Sequence, residues 1–255
     1  MKPIALLSDF GTRDWFVASM KGVILSINPA AVIVDITHDI PPGDIAAAAF
    51  NLLACHSSFP VGTIFVGVVD PGVGSRRAAL AVRAGGYAFI GPDNGLFSLV
   101  IDNYYKCEIR SIENRRCFQK EISSTFHGRD IFAPVGAYLS KGLAFGKLGP
   151  RLKTIAGLSM PSAARAIKKD IVGSVIYIER FGNAVTNIPS SLAIQASRIR
   201  VKGHTIPLCG CYSDVAKGKP VAVAGSCGFV EISVNSGNAA KKMNLSIGDK
   251  VIVSG

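Results

Sequence analysis

Thr63-Ile-Phe-Val-Gly-Val-Val-Asp-Pro-Gly-Val-Gly-Ser-Arg-Arg77 is an apolar run that stops on a carboxylate, turns through Pro-Gly, and delivers two cations. A run this short and this apolar, bounded by turn residues, predicts a buried strand. Strands of that kind belong to α/β sheets with helices on both faces. In open α/β sheets the functional crevice lies beyond the carboxyl ends of the strands. Asp70 and Arg77 are therefore candidate site residues before anything else is read.

Outward from this strand, the first half alternates between two periods. Pro3 to Leu7 reads as a strand entering Ser8-Asp9-Phe10-Gly11. Asp14 is placed to cap a helix with Phe16, Met20, Val23, Ile24 and Ile27 on its apolar face, and Asn28-Pro29 ends it. Ala31 to Ile36 predicts a second buried strand, and Asp44 caps an alanine-rich helix running to about His56. Ala78 to Val82 and Tyr87 to Ile90, joined at Gly85-Gly86, predict a hairpin. Asp130 opens a helical run, Ile131 to Leu139. The expected first domain spans residues 1–150, an α/β domain with a mostly parallel sheet.

Residues 151–169 are polar, small and weakly patterned, as a linker would be. From 170 to 255 the chain offers short β-rich runs at close spacing: Val172–Ile178, Arg198–Val201, Thr205–Leu208, Pro220–Ala224, Phe229–Val234 and Lys250–Val253. A small antiparallel barrel or sandwich is expected there.

Composition excludes several classes. Of 255 residues, 49% are hydrophobic and 18% charged, enough for a sizeable core. The amino-terminal apolar run is too short, and meets Asp9 too early, for a secretion signal. No apolar run approaches the roughly 20 residues that cross a bilayer. A cytoplasmic protein with no membrane partner is expected. The six cysteines form no C-x-x-C pair, and Cys209-x-Cys211 has no histidine at ligand spacing, so reduced thiols and no metal site are expected. The net charge of +11 is dispersed in small groups such as Arg76-Arg77, Arg115-Arg116, Lys168-Lys169 and Lys241-Lys242. Without interleaved aromatics, these read as solvated surface and not as a nucleic-acid footprint.

Four elements of the first domain can carry chemistry: Ser8 to Gly11, Asp70 to Arg77, Gly91-Pro-Asp-Asn-Gly95, and Thr125-Phe-His-Gly-Arg-Asp130. The first two each place a carboxylate at a strand end, and the last sets His127 in a loop before a helix. Each has a plainer explanation: Asp9 as a turn cap, Asp130 as an N-cap, residues 91–95 as a tight turn. Together, Asp70, Arg77 and His127 supply an ionised carboxylate, a permanent cation and an imidazole. A nearby guanidinium favours the charged form of a carboxylate. That carboxylate can orient His127 or hold a water directly. Which of the two is the base stays open at this level.

The same motifs carry a family resemblance. With Arg180-Phe-Gly-Asn-Ala-Val-Thr-Asn187, Tyr212-Ser-Asp-Val215 and Val234-Asn-Ser-Gly-Asn-Ala-Ala240 they match, in order and spacing, the S-adenosyl-L-methionine (SAM) hydroxide adenosyltransferases, relatives of the fluorinase and chlorinase. The likeness runs from residue 4 to residue 253. It implies a SAM hydrolase yielding adenosine and L-methionine, with SAM as substrate and no cofactor. It also implies an amino-terminal α/β domain, a smaller β-barrel-like domain, and a homotrimer with sites at subunit interfaces.

Residue by residue, the resemblance puts Asp70, Arg77 and His127 on the family's water-activating triad and Asp9 on the ribose hydroxyls. Phe126 and Gly128 fall beside the reacting carbon and ribose. Phe181 and Asn183 fall on the adenine and substrate-binding loop of the second domain, and Tyr212 on an aromatic that packs on the base. Ser226 falls near the methionine carboxylate, and Asn235-Ser236 on backbone that reads the adenine edge. Three positions depart from the family pattern. Glu179 replaces an aspartate expected at the methionine amine, Gly43 a bulkier wall residue, and Cys227 an arginine of halogenating relatives. Other readings are a non-catalytic binder of adenosine or SAM, and a metal-dependent hydrolase using Asp9, Asp70, His127 and Asp130.

Overall fold

The computed structural model describes residues 2–158, 165–167, 170–194 and 196–254. The chain divides into two compact units, Met1–Leu158 and Ser159–Gly255. The first carries strands β1 (Ile4–Ser8), β2 (Ile33–Thr37), β3 (Ile64–Val68), β4 (Ala79–Ala84), β5 (Tyr87–Pro92) and β6 (Cys107–Ser111). Its helices are α1 (Phe16–Ile27), α2 (Ile45–Cys55), α3 (Ser98–Ile101) and α4 (Ala133–Ser140). The strands form one sheet in the order β2-β1-β3-β5-β4-β6. The first four are parallel, and β4 runs antiparallel to both β5 and β6. The mostly parallel sheet is therefore as expected, and β6 is the strand that sequence patterning missed.

The chain leaves β1 for the edge strand β2 and returns to β3 on the other side of β1. The topological switch thus lies between β1 and β3, the place where open α/β sheets form their crevice. Ile4, Leu6, Val66 and Val68 pack toward Met20, Ile24, Phe132 and Val135 of the covering segments. Alternate residues Ala5, Leu7 and Phe65 are also fully buried, as period-2 alternation in a sheet covered on both faces requires. Asn28 donates to Ser140 Oγ at 2.8 Å, joining the ends of α1 and α4.

Two expected caps behave differently. Asp44 accepts from Ala47 N at 2.8 Å, a true N-cap. At α1, however, Trp15 and not Asp14 holds the N-cap position, without any side-chain bond. Asp130 lies inside a single π-turn, Gly128–Phe132, whose N-cap is His127.

Residues 151–158, read from sequence as the start of a linker, hydrogen-bond into the first unit. Leu152 N donates to Ile109 O at 2.9 Å and Ala156 N to Asp93 Oδ1 at 2.8 Å. Residues 159–164, together with Lys168 and Lys169, lie outside the described residues.

The second unit carries β7 (Arg165–Ile167), β8 (Asp170–Ile178), β9 (Ala184–Pro189), β10 (Arg198–Val201), β11 (His204–Cys209), β12 (Pro220–Ala224), β13 (Phe229–Val234), the short helix α5 (Ala239–Met243) and β14 (Lys250–Ser254). Seven strands close into a barrel in the order β14-β10-β11-β12-β13-β9-β8, because β8 also pairs with β14. Closure depends on β8 serving two neighbours: residues 170–174 pair with β14, and 175–178 with β9. At Gly173 a Cβ would lie 2.3 Å from Asn187 Oδ1, so only glycine lets the barrel wall draw in there. Val175, Ile188, Ile199, Ile206, Ile232 and Val251 fill the interior. No helix among the described residues is long and apolar enough to cross a membrane.

Candidate active site

A cleft of about 510 Å³ opens at the carboxyl ends of β1 and β3, bounded by Asp9, Phe10, Gly43, Asp70, Phe126 and His127. Both strands end one or two residues before a carboxylate, so the parallel register itself delivers Asp9 and Asp70 to one crevice.

Arg77 ties the far wall together. Its Nε donates to Asp70 Oδ1 at 2.9 Å, and its Nη2 donates to Asp70 Oδ2, a bidentate pair. The second proton of Nη2 faces His127 Nδ1 at 2.9 Å, and Nη1 donates to Ala78 O at 3.2 Å. The Asp70 and Arg77 side chains are only 5% and 11% exposed. A guanidinium has no acceptor, so Nδ1 of His127 must be the acceptor in this contact. In the neutral ring the proton then sits on Nε2, which has no protein partner among the described residues. Burial, and next the Arg77 charge, hold the His127 pKa below the ordinary histidine range, against the opposing pull of Asp70 and Asp130. The ring is neutral at neutral pH, with an N–H to offer.

Local sequence explains how these side chains meet. Gly74 has φ +78°, and a Cβ there would stand 2.5 Å from Ser124 O. The 70–77 loop can therefore lie directly on the segment leading to His127 only because position 74 is glycine. Asn94, from the Gly-Pro-Asp-Asn-Gly motif, donates to Val69 O at 2.8 Å and fixes the strand end before Asp70. Asp130 is buried, accepting from Ser123 N at 2.8 Å and Arg129 Nε at 2.6 Å. Its carboxylate braces the loop around His127.

On the near side, Asp9 Oδ2 accepts from Gly43 N at 2.8 Å. Oδ1 has no protein partner among the described residues. Gly43 has φ +73°, so its glycine does more than thin a wall: it aims a backbone donor at Asp9. Phe10, Phe16 and Phe126 form an aromatic wall with ring centroids 5.1–5.8 Å apart. A Cβ on Gly128 would come 3.3 Å from both Met20 Sδ and Val68 Cγ1, close to the bottom of the cleft.

The remaining candidates lie in the second unit. Glu179, Phe181 and Asn183 share one turn, in which the Glu179 carboxylate accepts from Phe181 N at 3.0 Å and Asn183 N at 3.2 Å. The extra methylene of Glu179 is thus folded back onto its own loop. Phe181 is 75% exposed. Tyr212 donates to Glu231 Oε1 at 2.7 Å, an oxygen that also accepts from Ser233 Oγ at 2.8 Å. Burial, followed by Glu231, pushes the Tyr212 phenol up to about 12. Ser226 is exposed in the turn after β12, beside Cys227, whose thiol burial raises. Asn235 donates to Val215 O at 2.7 Å, and Ser236 has φ +56°.

Asp9, Asp70, Phe126, His127 and Gly128 therefore share one cleft, with Arg77 joining Asp70 to His127 in its wall. Sequence reading missed Asn94 and Gly43 as positioners, and Glu231 as the anchor of Tyr212. The signal for Glu231 was an acidic residue inside the β-branched run Phe229–Val234. At 8% exposure such a charge needs partners.

The chain matches the family model for the SAM hydroxide adenosyltransferase N-terminal domain over residues 4–149, and that for the C-terminal domain over residues 173–252. It is 36% identical to the (R)-S-adenosyl-L-methionine hydrolase of Thermus thermophilus, across 97% of this chain and 98% of that protein. It is 28% identical to the fluorinase of an Actinoplanes species, across 98% and 97%. The crystal structure of an uncharacterized conserved protein from Thermotoga maritima superposes with a TM-score of 0.93 at 36% identity, covering 99% of this chain and all of that one.

Proposed function

The chain belongs to the SAM hydroxide adenosyltransferase family, and on that premise we propose that it hydrolyses S-adenosyl-L-methionine to adenosine and L-methionine. The observation that carries the proposal is the continuous Asp70–Arg77–His127 contact in the wall of the first unit's cleft.

The reaction asks little of the protein beyond placing one water. Water attacks the ribose C5′ while the C5′–S bond breaks with its electron pair going to sulfur. The leaving group is then a neutral thioether and needs no acid. A hydroxide-like nucleophile and a sulfonium lose their charges as they react, so an apolar, drier pocket favours the transition state over the separated ions. The wall of Phe10, Phe16 and Phe126 provides such surroundings. Held in line behind C5′, the water also gains from proximity and orientation.

The hydrogen-bond polarity supports a division of roles within the triad. Nδ1 of His127 is occupied by Arg77, so the ring is a donor through Nε2 and not the base. Asp70 keeps unused lone pairs on both oxygens after pairing with Arg77 and accepts the proton as the O–C5′ bond forms. His127 Nε2–H and the Arg77 charge stabilise the hydroxide-like oxygen. The proton passes from Asp70 to solvent. This reaction balances with no cofactor.

Asp9 takes the ribose hydroxyls through its unused Oδ1, with Phe126 and Gly128 beside the sugar. Phe181, Asn183, Tyr212 and the Asn235-Ser236 turn serve adenine, while Ser226 and Glu179 serve the methionine end. As part of the same reading, the protein is a cytoplasmic homotrimer in which second-unit residues of a neighbouring chain complete each site. The cleft of the first unit and the exposed Phe181 suit that arrangement.

Incubating purified protein with SAM and resolving adenosine and methionine by chromatography tests the function. Turnover lost in His127→Ala and Asp70→Asn is expected. Tight binding of SAM by calorimetry with no turnover in the wild type would make the protein a binder instead. A halide is repelled by Asp70 and has no proton to transfer, so adenosine should remain the product in excess chloride. A 5′-chlorinated nucleoside would contradict the roles given to the triad.

A further inference from the structure

Behind Asp9 lies a buried network that the proposed chemistry does not use. We propose that His38 is the positioning residue for Asp9, holding the Ser8–Gly11 turn so that the free carboxylate oxygen is presented to a ribose diol. This rests on the reading that Asp9 binds the ribose.

His38 grips both ends of that turn. Its Nδ1 lies 2.7 Å from Ser8 Oγ, and its carbonyl accepts from Gly11 N at 2.7 Å. Phe10 N points to Ser8 Oγ at 3.4 Å, so the hydroxyl bridges the imidazole to the backbone following Asp9. Five residues further on, Gly43 N donates to Asp9 Oδ2 itself. The 38–43 segment thus holds the Asp9 turn at three points.

The other ring nitrogen sets the direction of these bonds. Nε2 lies 3.1 Å from Asp35 Oδ1, within ion-pair reach but off the line of a directed hydrogen bond, and it has no other partner among the described residues. Lys21 Nζ holds the second Asp35 oxygen at 2.6 Å. A proton on Nε2 faces the carboxylate favourably, whereas a bare Nε2 lone pair would face negative charge. Nδ1 is then the acceptor, the Ser8 hydroxyl donates to it, and the Ser8 oxygen remains open to Phe10 N–H.

The backbone is shaped for this contact. Residues 35 and 38 would fall on opposite faces of a regular strand. The β1–β2 register runs Leu6↔Asp35 and then Leu7↔Thr37, so Ile36 is an extra residue. One inserted residue reverses the alternation and brings Asp35 and His38 to the same side. Ser8, His38 and Asp35 resemble a nucleophile triad in outline only. Ser8 is fully buried and His38 is 4% exposed, and neither lines the cleft.

Amide substitutions separate the two ring nitrogens. His38→Asn places an amide where Nδ1 was and can keep the Ser8 contact. His38→Gln reaches the Nε2 position and keeps only the Asp35 side, and His38→Leu keeps neither. KM and kcat for SAM, the adenosine Kd by calorimetry, and thermal melting are measured on each. The expected result is KM and adenosine Kd raised about tenfold in the Gln and Leu variants, the size of one lost orienting hydrogen bond. kcat should stay within about threefold, and His38→Asn should recover most of the binding. Equal losses in Asn and Gln that track the melting temperature, or a fall in kcat with KM unchanged, would overturn the inference. If the wild type makes no adenosine, the hydrolase reading has failed, and the adenosine Kd series alone decides the role of His38. If Asp9→Asn binds adenosine as tightly as wild type, the ribose reading has failed and His38 has nothing to position.

Discussion

Replacing Arg77 by lysine keeps the charge and removes the fork. The guanidinium makes three contacts with the triad: Nε and Nη2 on the two oxygens of Asp70, and Nη2 on His127 Nδ1. A lysine ammonium is a point donor on a flexible stem and can hold one carboxylate oxygen in that space. Two charge-assisted bonds are then lost, at ~1.5 kcal/mol each on the low side of their range. Both side chains are shielded, at 11% and 5% exposure, so solvent does little to mask the loss. The sum of about 3 kcal/mol corresponds to roughly a 10²-fold fall in kcat/KM, if the alignment of Asp70 and His127 matters fully in the transition state. Initial rates of adenosine release, with thermal melting to confirm folding, provide the assay. The ¹⁵N shifts of the His127 ring should report an Nε2-protonated tautomer in wild type and a mixture in Arg77→Lys. A folded Arg77→Lys protein within threefold of wild-type kcat/KM would refute the claim that the bidentate arrangement aligns the triad.

The pH dependence follows from His127. Its pKa is lowered from the ordinary 6.5, so the unfolded chain binds the more protons between the lowered value and 6.5. The contribution of this group to stability is complete above pH 6.5 and is lost as pH falls through the folded value. An acid limb of kcat/KM is expected below 6.5, because a proton on Nδ1 would oppose the Arg77 N–H; a His127→Asn variant retaining that limb would contradict the assignment. Gly74→Ala forces a side chain into a positive-φ position and against Ser124 O. A destabilisation of about 1–3 kcal/mol is expected, with a fall in kcat as the two loops part. Unchanged urea midpoint and unchanged turnover would show that the close approach is dispensable. Gly43→Ala should raise KM for SAM several-fold while Gly43→Asn, which tolerates the left-handed conformation, should raise it less. Equal KM values for the two would mean that the Gly43 N–H does not hold Asp9.

Much of the first unit was legible because its signals are local. The apolar run before Asp70, the 3.6-residue pattern of α1 and the Asp44 cap depend on neighbours within a turn or a strand. The Asp-Pro-Gly and Phe-His-Gly segments marked Asp70 and His127 as strand-end and loop residues, and the motif order marked the family. What could not be read was relative placement. Asp70 and His127 are 57 positions apart, and only the β1–β3 switch and the Gly74–Ser124 approach bring their loops together. The same holds for Glu231 under Tyr212 and for His38 behind Asp9, where a bulge reverses the strand alternation. Barrel closure likewise turns on a single strand pairing with two partners, which no local pattern encodes. Sequence by itself determined which residue types stood at the ends of which elements, since those choices answer to short-range sterics and burial. The direction of each hydrogen bond among Asp70, Arg77 and His127, on which the proposed division of labour rests, was decided by the tertiary structure. A guanidinium can only donate, and which nitrogen it meets depends on packing across distant loops.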